Sequence, residues 1–488
     1  MTRNEILRQV DEVIQTGPYR DTWESLCEYP VPKWYRDAKF GVFIHWGVYS
    51  VPAYDNEWYP HHMYLKDHHV NKHHRETYGP PDKFGYTDFI PMFKGEKFDA
   101  REWVALMGEA GAKFFMPVAE HHDGFQMYDS SLSKWNAKQM GPRRDVIGEL
   151  RDAASGTDVA FTLSSHRAEH CWFFKGGLDY PCDVTDPAYF DFYGEQFPLT
   201  TYHDIYHGSP PVDHCEDWLA RCCELADKYR PKVFWFDWWI HNTGFIPYLK
   251  KFTAYYYNRA AEWGEAVAIN YKYNAYPRGA AVYDVERGLL SGIQPRFWQT
   301  DTSVNRAGCT YTDRNDFKDP RDLVRDLIDT VSKNGCMLLN IGPKSDGTIS
   351  DEETYVLRSM GQWLKRNGEG IYGSTFWDVY GEGPSDVPSG YFTDNAPVPY
   401  TAEDIRFTYK GGAVYAFVMK WPDNGKIRIK SLRREFPRHN TGDFNIKEVS
   451  LVGFENKLSY ERDEDALRVS VEGKLITDYP VCLKITRS

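Results

Sequence analysis

The chain has 488 residues, 42% of them hydrophobic and 26% charged, so it exceeds one ordinary core, and we expect a large domain followed by a smaller one. Its formal net charge of -12 argues against nucleic acid or an anionic membrane as the main partner, and no apolar run reaches the length of a membrane span. Nine scattered cysteines, an odd number without a CxxC pair, indicate reduced thiols and no disulfide framework or zinc site.

Residues 1–30 predict an N-terminal helical extension. Its first 15 residues, MTRNEILRQVDEVIQ, carry charges throughout and have no hydrophobic core of a signal peptide, so we expect a cytoplasmic protein unless a leader has been removed. The aromatic share of 16% is high. Sugars stack their C–H faces on aromatic rings, so this share fits a carbohydrate-binding protein without proving it.

Eight short apolar runs within residues 31–380 predict buried strands, most of them separated by helical patterns. They begin at Phe40, Lys113, Asp158, Val233, Ala266, Ala281, Phe297 and Cys336. Most end in His, Asp, Glu, Asn or Lys, and α/β barrels carry their chemistry at the C-terminal ends of the strands. We therefore predict an α/β fold with an irregular (β/α)8 (TIM-like) barrel as catalytic domain, irregular because no helix is evident between strands five and seven.

A stretch rich in Gly, Pro and Ser, residues 381–399, predicts the boundary of the barrel domain. Beyond it the apolar residues alternate with a period of two, which indicates half-buried strands. The turn Asp423-Asn424-Gly425 predicts a β-hairpin. We expect residues 395–488 to form a C-terminal all-β sandwich.

Two carboxylates at predicted strand ends suit glycosidic bond hydrolysis, which needs one ionised and one protonated carboxyl group. Asp237 closes the apolar run 233–236, and Glu286 follows two strands later. In this interpretation Asp237 attacks, and Glu286 first protonates the leaving oxygen and then activates water. Asp237 could instead cap the next helix, and an ion pair with Arg287 would lower the pKa of Glu286 when a general acid needs it raised.

Histidines are concentrated near the first two predicted strands. His45, His121 and His122 stand at strand ends, where neutral imidazoles can hydrogen-bond sugar hydroxyls. Three further pairs are His61 with His62, His68 with His69, and His73 with His74. These pairs could ligate zinc, but no acidic or Cys partner has metal-site spacing, so we expect a solvent- or substrate-facing loop and no metal.

With these motifs in view, the chain resembles the α-L-fucosidases of glycoside hydrolase family 29. The matching stretches are WYRDAKFGVFIHWGVYSVPAY, NEWY, EHHDGF, GPRRDVIGEL, VFWFD, VSKNGCMLLNIGPKSDGTI and WLKRNGEGIYG, in family order from about residue 34 to 374. The resemblance implies a retaining exo-glycosidase with a barrel and a C-terminal β-sandwich. It would remove terminal α-L-fucose from fucosylated glycans and need no cofactor.

The resemblance also implies roles for individual residues. Asp237 falls on the nucleophile. The fucose pocket would include His45, Glu57, Trp58, His121, His122 and Trp235. Lys272 stands where the family often has Arg, so it could contact substrate, but not with two parallel hydrogen bonds. The stretch SSHRAEHCWF, which contains His166, replaces a tyrosine-containing pattern of some members. Glu286 is the favoured acid/base residue, and Asp284 and Glu169 are the second choices.

Two other functions stay open at this point. In a substrate-assisted N-acetylhexosaminidase, Asp284 and Glu286 would form the D-x-E pair and Asp237 would be dispensable. A catalytically silent sugar-binding protein would keep the aromatic pocket without the chemistry. The sequence is compatible with a homo-oligomer, and it leaves open the linkage and aglycone, which we expect loops 54–81 and 171–209 to determine. A retaining enzyme predicts a carboxyl separation of about 5 to 5.5 Å between Asp237 and Glu286.

Overall fold

The computed structural model describes residues 1–197, 209–394, 396–435, 445–473, 475 and 477–487. The helices in these ranges are Arg3–Thr16, Trp23–Leu26, Lys33–Ala38, Tyr59–His62, His69–Thr77, Ala100–Glu109, Val146–Ala154, His170–Phe173, Phe190–Tyr193, Val212–Tyr229, Ile246–Trp263, Pro320–Ser332 and Asp351–Asn367. No helix in the described ranges combines the length and the hydropathy that crossing a membrane needs.

A closed barrel of parallel strands forms the larger part of the molecule. Its strands are β1 (Phe40–Ile44), β2 (Phe114–Glu120), β3 (Ala160–Phe161), β4 (Leu163–Ser165), β5 (Val233–Phe236), β6 (Ala268–Tyr271), β7 (Val282–Glu286), β8 (Trp298–Ser303) and β9 (Gly335–Ile341). β3 and β4 are two pieces of one predicted strand, and β1 pairs with both β2 and β9, which closes the ring. The predicted barrel is therefore confirmed, and its strands are buried on both faces, as apolar runs of this kind require.

Helices cover most of the barrel, and local sequence explains where they begin. Asp99 caps Ala100–Glu109 by accepting hydrogen bonds from two backbone N–H groups, and Ser350 caps Asp351–Asn367 by accepting one from Glu353 N. The described residues between β6 and β8 contain no helix, as the sequence predicted, so this side of the barrel is irregular. The N-terminal helix Arg3–Thr16 buries four aliphatic side chains against the barrel helices.

The histidine-rich segment corrects one expectation. It was predicted to be a loop, but Tyr59–His62 and His69–Thr77 are helices. His68 caps the second helix by accepting from Val70 N at 3.3 Å, and buried His74 contacts the Tyr59 hydroxyl at 2.9 Å. These imidazoles satisfy backbone and hydroxyl groups inside a packed region, a use that histidine spacing alone does not reveal.

The C-terminal region consists of two antiparallel sheets. One has the order β10 (Thr375–Glu382), β11 (Ile405–Lys410), β12 (Ala413–Val418), β17 (Val481–Arg487) and β14 (Ile446–Leu451). The other has the order β13 (Lys426–Ile429), β16 (Leu467–Val471) and β15 (Leu458–Arg462). The predicted all-β region is confirmed, but the predicted hairpin at Asp423-Asn424-Gly425 is wrong, because β12 pairs with β17 while β13 pairs with β16. The turn passes the chain from one sheet to the other.

Buried polar contacts fasten this region to the barrel. Arg406 on β11 donates to Asp329 of helix Pro320–Ser332 at 2.6 Å, and Lys333 donates to the same carboxylate at 2.6 Å. Both cations and the carboxylate are almost completely buried. β10, which lies at the end of the predicted barrel range, joins the C-terminal sheet.

Candidate active site

A cavity of about 400 Å³ lies at the C-terminal ends of the barrel strands, within the usual size of a small-molecule site. Its lining includes every residue for which the sequence predicted a catalytic or substrate-binding role. These residues are His45, Glu57, Trp58, His121, His122, His166, Trp235, Asp237, Lys272 and Glu286. The described structure thus brings the whole predicted set together, from six strands and from the segment after β1. Part of loop 171–209, expected to influence the aglycone, lies outside the described residues.

Asp237 follows β5 and is surrounded by hydrogen-bond donors. Its Oδ2 accepts from His166 Nδ1 at 2.7 Å and lies 3.3 Å from His122 Nε2. Its Oδ1 accepts from the Trp238 backbone N at 2.7 Å and from Lys272 Nζ at 3.0 Å. Burial opposes the charge, but Lys272 and the two imidazoles outweigh it and hold the pKa of Asp237 well below its ordinary value. This carboxylate stays ionised.

Lys272 connects the carboxyl groups of the site. Its Nζ lies 3.0 Å from Asp237, 3.1 Å from Glu286 and 3.8 Å from Asp301, and the side chain is 2% exposed. The ammonium also lies 4.7 Å from the centre of the Trp235 ring, within cation–π range. Burial disfavours the charge, but the surrounding carboxylates dominate and raise the pKa of Lys272 well above its ordinary value.

Glu286 ends β7 and differs electrostatically from Asp237. Burial, together with the negative charges of Asp237 and Asp301, raises its pKa to about 7, although Lys272 opposes the shift. The neighbour Arg287, which raised the concern of an ion pair with Glu286, pairs with Asp394 at 3.2 Å. One carboxylate that stays ionised and one carboxyl group that is protonated near neutral pH is the combination that glycoside hydrolysis needs.

The surroundings of the cavity histidines shift their pKa values in different directions. His122 lies between Glu169 at 3.1 Å and Asp237 at 3.3 Å; burial opposes protonation, but these carboxylates raise the pKa of His122. Burial lowers the pKa of His45, and its Nδ1 contacts Asn340 Oδ1 at 2.6 Å. His121 Nδ1 is buried and has no hydrogen-bond partner among the described residues.

The two alternative acids predicted from the sequence lie outside the cavity lining. Asp284 is fully buried one layer below Glu286 on β7, where it accepts from Trp235 Nε1 and from Gln299 at 2.7 Å. Glu169 is fully buried as well and accepts from Trp238 Nε1 at 2.9 Å. Both side chains therefore hydrogen-bond residues that line the cavity, and neither belongs to the described lining itself.

Two groups of donor atoms in the described residues are close enough to hold a cation. One consists of His45, His121 and His166, and the other of His122, His166 and Asp237, with ligand atoms within 4.8 Å of one another. His166 belongs to both groups, so they could not be occupied independently. Neutral imidazoles are suitable ligands for zinc or copper, but the same nitrogens equally suit hydroxyl groups.

Several lining residues were not predicted from the sequence, among them Asp301, Cys309 and Phe392. Asp301 ends the predicted seventh strand, so the rule that selected Asp237 could have selected it too. Cys309 lies in a segment without a motif, and its backbone N donates to Glu57 at 2.8 Å. Phe392 belongs to the stretch interpreted as a domain boundary, and nothing in its sequence context indicated that it reaches the site.

Comparisons with known proteins show the family of the chain and agree with its fold. The family described as Alpha-L-fucosidase matches residues 6–369, and the Alpha-L-fucosidase C-terminal domain matches residues 399–486. The tissue α-L-fucosidase of Rattus norvegicus is 30% identical over 470 residues, covering 94% of this chain and 88% of that protein. The plasma α-L-fucosidase of Homo sapiens is 31% identical, covering 90% and 85%. The solved structure of Thermotoga maritima α-fucosidase in complex with fucose matches with a TM-score of 0.76 at 27% identity, covering 96% of this chain and 100% of that one.

Proposed function

The chain belongs to the α-L-fucosidase family of glycoside hydrolases, and from this premise we propose that it is a retaining exo-enzyme that releases terminal α-L-fucose from fucosylated glycans by double displacement. The observation that carries the proposal is that Asp237 and Glu286 lie in one cavity beside the same Lys272 ammonium, with the pKa of Asp237 lowered and that of Glu286 raised to about 7. The cavity is small, which suits a single terminal sugar ring.

The spacing of the two carboxyl groups supports retention. Asp237 Oδ1 and Glu286 Oε2 each lie about 3 Å from the same Lys272 nitrogen, so these oxygens are no more than about 6 Å apart. Retaining enzymes place their carboxyl groups about 5 to 5.5 Å apart, whereas inverting enzymes need about 6.5 to 9.5 Å to admit a water molecule.

The reaction then proceeds in two steps. The Asp237 carboxylate attacks the anomeric carbon while the Glu286 carboxyl group donates its proton to the glycosidic oxygen, so the C–O bond to the acceptor breaks and a fucosyl ester of Asp237 forms. In the second step ionised Glu286 takes a proton from water, the resulting hydroxide attacks the anomeric carbon, and the ester bond breaks. Two inversions give net retention, and both side chains return to their starting states.

The neighbouring residues stabilise each state of this cycle. Lys272 neutralises Asp237 before attack, and it remains beside Glu286 when that residue has lost its proton. His45 and His121 present ring nitrogens to the sugar, and Trp58 offers an aromatic face. The buried partners of the cavity hold these groups in place, so that little reorganisation is needed during the reaction.

The test is hydrolysis of an activated aryl α-L-fucoside by wild type, Asp237→Ala and the control Asp301→Ala, each with and without azide. We expect Asp237→Ala to lose several orders of magnitude and azide to restore part of the rate as β-fucosyl azide. Asp301→Ala should show a smaller loss that azide does not restore. Near-normal activity of Asp237→Ala would overturn the assignment of Asp237 as nucleophile, and an inert wild type would favour a silent sugar-binding protein.

A further inference from the structure

We infer that Phe392 forms the platform on which the acceptor sugar, the residue that carries the fucose, stacks during cleavage. The inference rests on the proposed function of the cavity and adds a specificity-determining residue to it. Phe392 lines the same cavity as Glu286, yet it comes from the connection between β10 and β11 of the C-terminal sheet.

Residues 390–394, which we call the strap, are hydrogen-bonded to the chain just after β7. Gly390 N donates to Leu289 O at 2.8 Å, and Phe392 N donates to Glu286 O at 3.0 Å. Thr393 N donates to Arg287 O at 2.8 Å. The strap is thereby fixed to the backbone of the proposed acid/base residue itself.

A buried carboxylate anchors the end of the strap. Asp394 accepts from Lys318 Nζ at 2.6 Å and from the Thr302 hydroxyl at 2.6 Å, and it forms an ion pair with Arg287 at 3.2 Å. Its side chain is 5% exposed. Burial opposes the charge, but Lys318 and Arg287 outweigh it and hold the pKa of Asp394 below its ordinary value, so the anchor stays ionised. Several charge-assisted bonds on one carboxylate hold the strap against the barrel.

The two consecutive rings of the strap have different environments. Tyr391 stacks on Tyr273 with ring centres 4.9 Å apart and contacts the Tyr283 hydroxyl. Phe392 has a φ of 55°, in the left-handed region that bulky residues rarely occupy. Its side chain is 53% exposed and lines the cavity. Tyr391 therefore fastens the strap, and the unusual backbone of Phe392 presents a flat apolar ring at the cavity wall.

The position of this ring identifies the part of the substrate that it contacts. Glu286 protonates the oxygen of the leaving group, so the wall beside Glu286 faces the acceptor sugar. Trp238 instead adjoins the other carboxylate, since its backbone N donates to Asp237 at 2.7 Å. A hexopyranose presents a C–H face that stacks on an aromatic ring. The acceptor class is therefore a hexopyranose that lays this face on Phe392.

Two substrates distinguish the contribution of the acceptor sugar to kcat/KM from that of the fucose. α-L-Fucosyl fluoride has no acceptor sugar, whereas a fucosyl-hexose disaccharide has one; the disaccharide used is the linkage that wild type cleaves fastest. We expect Phe392→Ala to lower kcat/KM about 10-fold on the disaccharide and to leave kcat/KM on the fluoride within about twofold. Phe392→Tyr keeps the ring and should retain activity on both. Tyr355→Ala removes an exposed ring remote from the cavity and serves as the control.

The outcomes are separable. Unchanged disaccharide hydrolysis by Phe392→Ala would overturn the inference. An equal loss on disaccharide and fluoride would also overturn it, because the defect would then lie in the fucose pocket, which both substrates occupy. A loss in Phe392→Tyr as large as that in Phe392→Ala would show that the flat ring is not what matters. If wild type cleaves neither substrate, the proposed function itself fails, independently of Phe392.

Discussion

Replacement of Glu286 by Gln tests the acid/base assignment through the pH dependence of the rate. Gln has nearly the shape of Glu but cannot donate a proton to the leaving oxygen. Burial and neighbouring carboxylates raise the pKa of Glu286 to about 7, so wild type holds this proton below neutral pH and loses it above. On a substrate with a poor leaving group, kcat/KM of wild type should therefore fall about tenfold per pH unit above the pKa of about 7.

The size of the effect follows from the role of the proton. General acid catalysis contributes about 10²- to 10⁴-fold, which corresponds to about 3 to 5 kcal/mol of transition-state stabilisation. The variant should lose this factor on an unactivated fucoside, and its kcat/KM should no longer fall at alkaline pH, a fall that we call the alkaline limb. A fucoside with a very acidic leaving group needs no proton, so formation of the fucosyl-enzyme should be much less affected.

The assay measures kcat/KM against pH for both leaving-group classes, with azide added to the activated substrate. Azide needs no general base, so in Glu286→Gln it should attack the fucosyl-enzyme and give α-fucosyl azide, the opposite anomer to that expected from Asp237→Ala. An alkaline limb that persists in Glu286→Gln would refute the assignment. Asp301, whose pKa is also raised to about 7 by burial, would then be the next acid to test.

Three further substitutions test the electrostatics and the attachment of the C-terminal region. Lys272→Met removes the cation that holds the pKa of Asp237 down, so the fall of kcat/KM on the acid side of its pH profile should move to higher pH. The free energy of unfolding, measured by chemical denaturation, should decrease by about 3 to 5 kcal/mol. An unchanged acid side of the pH profile would contradict this. Asp301→Asn removes a negative charge that raises the pKa of Glu286, so the alkaline limb should move to lower pH, and a shift upward would be evidence against the account. Arg406→Met breaks a buried ion pair with the barrel and should lower the free energy of unfolding by about 3 kcal/mol, measured by denaturation, while kcat/KM at 25 °C stays within twofold; a large loss of activity would instead implicate the C-terminal sheets in catalysis.

The barrel and much of its site could be predicted because one physical rule connects them. Parallel strands buried on both faces read as continuous apolar runs, and a polar residue that ends such a run lies at the C-terminal rim. Asp237 and Glu286 were found in this way. The family motifs supplied Glu57, which comes from the segment after β1, where no strand end marks it.

What could not be predicted depends on contacts between distant parts of the chain. The strap looks like a linker because Gly, Pro and Ser favour turns, and contacts with distant residues, among them the pairing of Asp394 with Lys318, fix it to the barrel. The false hairpin has a similar cause. Asp423-Asn424-Gly425 specifies a turn, but burial of the flanking strands in two different sheets decides their partners.

The relation of Glu286 to its neighbours also required the fold. Adjacency in sequence suggested an ion pair with Arg287, which would have lowered the pKa of the glutamate. In the structure Arg287 pairs with Asp394, and the cation next to Glu286 is Lys272, which it shares with Asp237. Lys272 and the imidazoles keep Asp237 ionised, whereas burial and the charges of Asp237 and Asp301 raise the pKa of Glu286 against the effect of Lys272.

The most direct test of the double displacement is to trap its covalent intermediate. Wild-type protein incubated with 2-deoxy-2-fluoro-α-L-fucosyl fluoride should lose activity and gain one fluorofucosyl group, because fluorine at C2 slows both steps while the fluoride leaving group keeps the first one fast. Mass spectrometry of a peptic digest should place the adduct on the peptide that contains Asp237, and Asp237→Ala should remain unlabelled. An adduct on the peptide that contains Asp284 and Glu286, or inactivation without any adduct, would contradict the proposed mechanism.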